Sequence, residues 1–229
     1  RSLGLAFVPP PLREDGLLLR SLSDKPYPDA LTRSQLRGIL HVHTTYSDGS
    51  DSLRKMADAM IAKGYEYLGI ADHSKLAVYA DGLTPERVME QWSEIDYLNS
   101  ELAPFKILKG TECDILPDGR LDFDDHLLAG FDFVVASIHS SFKLTMEQET
   151  ERLCRALENP HVDILGHPTG RLLLRREGYP IDHERVLECA ANHGKAIELN
   201  CNPHRLDLDW RWFERALALG RLNRAGPRN

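Results

Sequence analysis

From Arg37 onward, short apolar runs of strand length alternate with segments of helical period, in units of roughly thirty residues, and this repeat constrains the fold more than any other feature of the chain. The runs fall at 39–43, 67–71, 105–108, 131–138, 162–165 and 196–199. Between the first two, Leu53, Met56, Ala57, Met60 and Ile61 share one helical face over 52–63, and Gly64 ends that helix. Thr84 as N-cap with Pro85 in the first turn starts another helix, and further helices fit at 146–158, at 182–193 and around 212–219. Alternating strand–helix units imply parallel strands joined by right-handed crossovers. Six units in under 200 residues favour barrel-like closure over an open doubly wound sheet. Residues 1–36 lack the rhythm. Pro9, Pro10, Pro11, Pro26 and Pro28 break any helix there, so the expectation is an extended lead-in or interdomain linker before a domain at 37–229. An arginine at position 1 suggests a piece of a longer protein.

In parallel α/β barrels the chemistry sits at the C-terminal ends of the strands. Here the first five predicted strands end on His41 and His43, on Asp72-His73, on Glu112, on His139 and on His167. Residues two apart on a strand share a face, so His41 and His43 can point at one ion. Asp48, in the loop just beyond, adds an oxygen. One histidine after a strand is usually a hydrogen-bonded loop residue, but five such endings on one rim point to a polynuclear metal site. Mixed imidazole and carboxylate donors suit Mn²⁺, Zn²⁺ or Fe²⁺ better than Mg²⁺. A central carboxylate such as Glu112 is the natural bridge between two ions. Such a cluster lowers the pKa of a water and clamps phosphoryl oxygens, so phosphoester hydrolysis leads, with amide or lactone hydrolysis as the rival. His126, His161, His183, His193 and His204 fall outside that register and read as structural or solvated.

The balance of 28 basic against 35 acidic residues excludes a generally basic nucleic-acid coat. No apolar stretch approaches a membrane span, and the N-terminus shows no signal-peptide core. The four cysteines have no paired spacing, which suits reduced thiols in the cytoplasm. Cys113, beside Glu112, reads as a packed thiol.

The strings HVHTTYSDG, GIADHS, GTECDILPDG, ASIHSSF and DILGHPTGRLL, in that order, resemble the polymerase-and-histidinol-phosphatase (PHP) domain. More closely they resemble the version at the C-terminus of bacterial family X DNA polymerases, with the likeness running from about Leu3 to Leu219. The resemblance implies a distorted (β/α)7 barrel holding up to three ions. His41 and His43 would bind one, with Glu112 bridging to a second completed by His139 and His167, and Asp48 with His73 would hold the third. It also implies a Mn²⁺-dependent 3′–5′ exonuclease acting on DNA 3′ ends, joined to polymerase domains in a longer parent chain. A small-molecule phosphatase of the histidinol-phosphate kind is the alternative, and a metal-stabilised module without catalysis is another. One departure stands out. The family pattern closes on a seventh strand bearing an Asp-x-His pair, whereas the tail RLNRAGPRN after Gly220 has neither residue. The seventh strand is therefore expected to be missing, with the first and third sites each a ligand short.

On the substrate side, Arg171 and Arg205 are the leading phosphate contacts, because a guanidinium fork matches phosphate oxygens. Arg175, Arg176, Lys75 and Lys143 are weaker candidates. Trp210 and Trp212 could stack a base but read better as helix packing. Asp72 either orients an imidazole or caps a strand end.

Overall fold

The computed structural model describes residues 33–220. The chain divides into two compact units, 1–36 and 37–229. Most of the proline-rich lead-in and all of the tail 221–229 lie outside the described residues; of the first unit only a 3₁₀ turn at Arg33–Gln35 can be placed.

Among the described residues of the second unit, six strands alternate with six helices. They run β1 (Gly38–Val42), α1 (Leu53–Ala62), β2 (Tyr67–Ile70), α2 (Pro85–Glu101), β3 (Lys106–Asp114), α3 (Asp125–Leu128), β4 (Phe133–Ser137), α4 (Met146–Glu158), β5 (Ile164–Leu165), α5 (His183–Asn192), β6 (Ala196–Ile197) and α6 (Phe213–Ala218). Every neighbouring strand pair is parallel, and the sheet order is the sequence order. A flat sheet in that order would put β1 and β6 roughly 24 Å apart. Instead, His41 on β1 and Glu198 just beyond β6 meet at 2.7 Å. The sheet is therefore curled into an open barrel of six strands. No seventh strand occurs among the described residues.

The helix ends follow from their capping residues. Ser52, Thr84, Asp124, Thr145 and Asp182 each accept a first-turn backbone N–H, and Thr145 with Gln148 completes a reciprocal capping box. The apolar faces of α1 and α2 (Leu53, Ala57, Met60, Ile95, Leu98) pack on Leu68, Ile70 and Ile107. Those of α4 and α5 (Leu153, Leu157, Val186, Leu187) pack with Leu165 and Ile197. Inside the curl, Leu40, Ala71, Leu108, Phe133, Val135, Ile164 and Ala196 form a plug drawn from or beside all six strands. Phe133 fits because β3 carries Gly110 beneath it, where a Cβ would stand 2.3 Å from the ring. The plug fills the barrel below the rim and leaves the strand ends to the polar residues.

The third strand, expected to start at the run 105–108 and to close on Glu112, runs from Lys106 to Asp114, and its polar second half pairs with β4. A 3₁₀ turn at Trp210–Trp212 precedes α6, which falls within the helix expected around 212–219. No helix among the described residues is long and apolar enough to cross a membrane.

Candidate metal centre

Glu112 lies near the end of β3, 1% exposed, with five imidazoles around its carboxylate. Its Oε1 faces the Nε2 atoms of His41 at 3.2 Å, His139 at 3.2 Å and His167 at 2.8 Å. Its Oε2 faces His43 Nε2 at 3.5 Å and His73 Nδ1 at 3.2 Å. Asp48, half exposed, closes the outer side at 3.6 Å from His43 Nδ1 and 3.8 Å from His73 Nε2. All seven residues expected at a metal site thus come together on one rim.

The local backbone explains how. β1 shifts register between Ile39 and Val42, and His41 there adopts φ 60°. A bulge of this kind re-aims side chains, and the strained conformation is one that surrounding contacts must hold. His41 and His43 address the two oxygens of Glu112, with their ring centroids 5.3 Å apart. The loop after β1 is tied down by Asp72, which accepts the Thr44 N–H (2.7 Å), the Thr44 hydroxyl (2.7 Å), the Ser47 hydroxyl (2.6 Å) and the Gln91 amide (2.6 Å). Asp72 therefore orients no imidazole; it anchors the loop that leads to Asp48.

Two other carboxylates do the orienting, and neither was singled out in the sequence. Glu198 accepts from His41 Nδ1 at 2.7 Å and from the His167 backbone N–H at 2.6 Å. Asp114 accepts from His139 Nδ1 at 2.7 Å. With Nδ1–H so engaged, the Nε2 of each ring is turned toward Glu112. An acid inside the apolar run of β6 and its extension, and a second acid two residues past Glu112 on the same strand, were the available signals.

The electrostatics follow from this packing. Burial disfavours charge on His41, but Glu112 and Glu198 outweigh it and raise its pKa well above the ordinary value. The same opposition, with Glu112 and Asp114 as partners, lifts His139 to about 9. His43 and His73 go the other way, lowered chiefly by burial and further by neighbouring imidazoles, His73 to about 4. Glu112 stays ionised: burial pushes it up, and the charged histidines, His41 first, hold it well below the carboxylate range.

Several contacts around Glu112 are close without being hydrogen bonds. Glu112 Oε1, His43 Nδ1, His73 Nδ1 and His167 Nδ1 are all buried and none has a hydrogen-bond partner among the described residues. Buried polar atoms are normally paired, so several orphans in one cluster indicate that something else is meant to be there. Three groups of donor atoms lie within 4.8 Å of one another: His41, His43 and Glu112; His43, Asp48 and His73; His73, Glu112 and His139. The donor set fits divalent cations.

The model of the PHP domain family matches residues 40–202. The chain belongs to the PHP family. It is 51% identical over 205 residues to the DNA polymerase/3′–5′ exonuclease PolX of Bacillus subtilis, covering 90% of this chain and 36% of that protein. It is 33% identical over 179 residues to a probable phosphatase of Caldanaerobacter subterraneus, covering 73% of this chain and 64% of that one. The chain thus spans about a third to two thirds of the curated relatives it matches. Among solved structures, the histidinol phosphate phosphatase of Lactococcus lactis, complexed with zinc, L-histidinol and phosphate, aligns at a TM-score of 0.48 with 19% identity, over 72% of this chain and 73% of that chain.

The rest of this PHP domain's expected site residues are placed as follows. Arg171 is taken up by its own neighbourhood: Nε donates to the Arg205 carbonyl at 2.9 Å, Nη1 to Asp209 at 2.5 Å, and Nη2 to the Leu206 carbonyl. It braces the loop that carries Arg205. Arg205 itself keeps Nη1 buried and without a partner among the described residues. Arg176 donates to the Gly170 carbonyl and lies over Phe142. Trp212 stacks on His183 at 4.6 Å as packing, whereas Trp210 is 57% exposed and does not pack as expected. Cys113 is fully buried, and burial pushes its thiol up to about 12.

Proposed function

We propose that this PHP domain is a metal-dependent phosphoesterase that shortens DNA from its 3′ end, as the exonuclease module of a longer chain with polymerase domains. The observation that carries the metal-dependent part is the ring of five imidazoles around buried Glu112, with orphaned donors left inside it. Support for the nucleic-acid part is the similarity to PolX.

In this reading His41, His43 and Glu112 hold one ion, Glu112 with His139 and His167 a second, and Asp48 with His73 a third. The position of His73 Nδ1 against Glu112 also lets it serve the second. Mn²⁺ or Zn²⁺ suits these donors, with Fe²⁺ also acceptable. Divalent ions so held supply Lewis acidity toward phosphoryl oxygens and a water of lowered pKa. The protein's own contribution is placement. Glu198 and Asp114 fix two imidazoles, Asp72 fixes the loop before Asp48, and His41 and His43 stand on the two oxygens of one carboxylate. Arg205, on the loop beyond β6, is the guanidinium this reading assigns to a phosphate oxygen. Arg171, engaged by Asp209, assists by holding the Arg205 loop.

The similarity to probable phosphatases supports a second reading, a small-molecule phosphomonoesterase. A 5′-labelled oligonucleotide incubated with the chain and Mn²⁺ separates them. Stepwise shortening, lost on chelation and in Glu112→Gln, is the expected result. Release of phosphate from monoesters with the oligonucleotide left intact favours the second reading, and no hydrolysis of either kind overturns both.

A further inference from the structure

The segment between β2 and α2 carries an aromatic ring that the metal centre does not use. Tyr79 is 71% exposed and its neighbour Val78 is 81% exposed. The Tyr79 ring lies 6.1 Å from the ring of His73 and 6.3 Å from that of His139, at interplanar angles of 61° and 70°. Both contacts are edge contacts, so neither imidazole covers the ring face to face. The phenol lies within electrostatic reach of Asp114, Glu112, Asp48 and Arg205, which places it at the mouth of the site, on the side where Arg205 sits.

Exposure here is not a product of slackness. Ala77 and Ala80, on either side of the exposed pair, are 1% and 2% exposed and pin the 3₁₀ turn Val78–Ala80 to the body of the domain. The Ala80 N–H donates to Ala77 O at 2.9 Å, Gly82 N–H to Ala77 O at 3.1 Å and Leu83 N–H to His73 O at 2.8 Å. Leu76 N–H is held by Asp122 at 2.7 Å, and Arg87 donates to the Asp81 carbonyl at 3.0 Å. The segment thus holds a flat apolar surface out into water beside two of the residues expected to hold ions. Water-exposed aromatic rings on rigid supports are what sequence-tolerant binding of single-stranded ends uses, since every base has a π-face. An aliphatic phosphomonoester has nothing flat to lay against such a ring.

We propose that Tyr79 is the base platform of the site: its ring stacks the nucleobase of the nucleotide whose phosphate reaches the Glu112 cluster. This rests on the phosphoesterase reading and deepens it, naming a nucleotide rather than a sugar phosphate as the preferred ligand. Tyr79 contacts the base and not the reacting atoms, so it acts on selectivity and not on the hydrolytic step.

The test is calorimetric titration of the Mn²⁺-loaded chain with deoxyadenosine 5′-monophosphate and, separately, with 2-deoxyribose 5-phosphate, which lacks the base. The nucleotide is expected to bind about 5- to 150-fold more tightly, the range that stacking on one aromatic side chain supplies. Tyr79→Ala should remove that advantage while leaving the sugar phosphate's affinity within about twofold, and Tyr79→Phe should keep it, because the ring and not the hydroxyl does the stacking. Equal binding of the two ligands by the unaltered chain overturns the platform and leaves the phosphoesterase reading standing. So does an advantage that survives in Tyr79→Ala. Failure of both ligands to bind in the presence of Mn²⁺ overturns the phosphoesterase reading, and the platform falls with it.

Discussion

Glu112 is an ionised carboxylate with almost no access to water, a state that is costly unless charge and hydrogen bonds compensate it. Without a cation the compensation comes from histidines that stay protonated, and a divalent ion would displace those protons. The residues that set the geometry for this exchange stand one layer out. Replacing Glu198 by glutamine keeps its shape but removes the charge facing His41 Nδ1. Loss of such an outer partner weakens metal affinity by roughly 10- to 100-fold. Titration of the variant with Mn²⁺ should show that loss with the far-ultraviolet circular dichroism unchanged; unaltered affinity would mean that Glu198 is only a strand-end acid. His183 offers a separate test outside the Glu112 cluster. Stacked on Trp212, it has its pKa lowered, chiefly by burial. A histidine with a lower pKa folded than unfolded costs nothing above the unfolded value near 6.5 and destabilises the fold as pH falls through it. Thermal melts at pH 7.5 and 5.5 should therefore show a larger drop for the unaltered chain than for His183→Gln. An equal drop would remove His183 from the account.

At the scale of elements, the rim is held together by a side chain that touches none of the expected ligands. Arg152 on α4, fully buried, donates to the carbonyls of Ile115 and Leu116 just past β3 and of Ser140 just past β4, and pairs with Glu149 at 3.4 Å. It ties the strand end bearing Glu112 and Asp114 to the one bearing His139. Arg152→Met strands Glu149, and breaking a buried pair in this way costs about 3–5 kcal/mol. Urea unfolding should register that loss, and the double variant with Glu149→Met should recover a good part of it; a single variant of full stability would contradict the clamp. The same elements show what could be read from the sequence. The rim was legible because strand period and strand end are local properties, and five strands in succession ended on a donor. The continuation of β3 past Glu112 to Asp114 was not, since Cys113 and Asp114 show their strand character only once β4 is there to pair with them. The bulge at His41 and the role of Glu198 were hidden for a related reason: the two residues are 157 positions apart and meet only once the sheet has curled. Arg171 misled because its partner Asp209 lies 38 positions away.

Over the whole molecule, the curl makes one site from the ends of separate strands, so cations binding there would link β1, β3, β4 and the segments after β2 and β5. A ligand that binds only the folded form stabilises it by about 2.7 kcal/mol at a hundred times its dissociation constant. Added Mn²⁺ should accordingly raise the melting temperature and chelation should lower it; a melting temperature indifferent to both would show that no cation links the strands. The chain's net charge of −7 gives no general attraction to DNA, so on the proposed reading contact with a phosphodiester would be local, through the ions and Arg205. Everything therefore turns on whether the Glu112 cluster takes up metal. The most direct measurement is the metal content of the purified chain after equilibration with Mn²⁺ or Zn²⁺ and removal of the excess, for the unaltered protein and for Glu112→Gln. The account predicts at least two ions per chain, falling to one or none in the variant. An unaltered chain that retains no ion, or a variant that retains as many as the original, would contradict it.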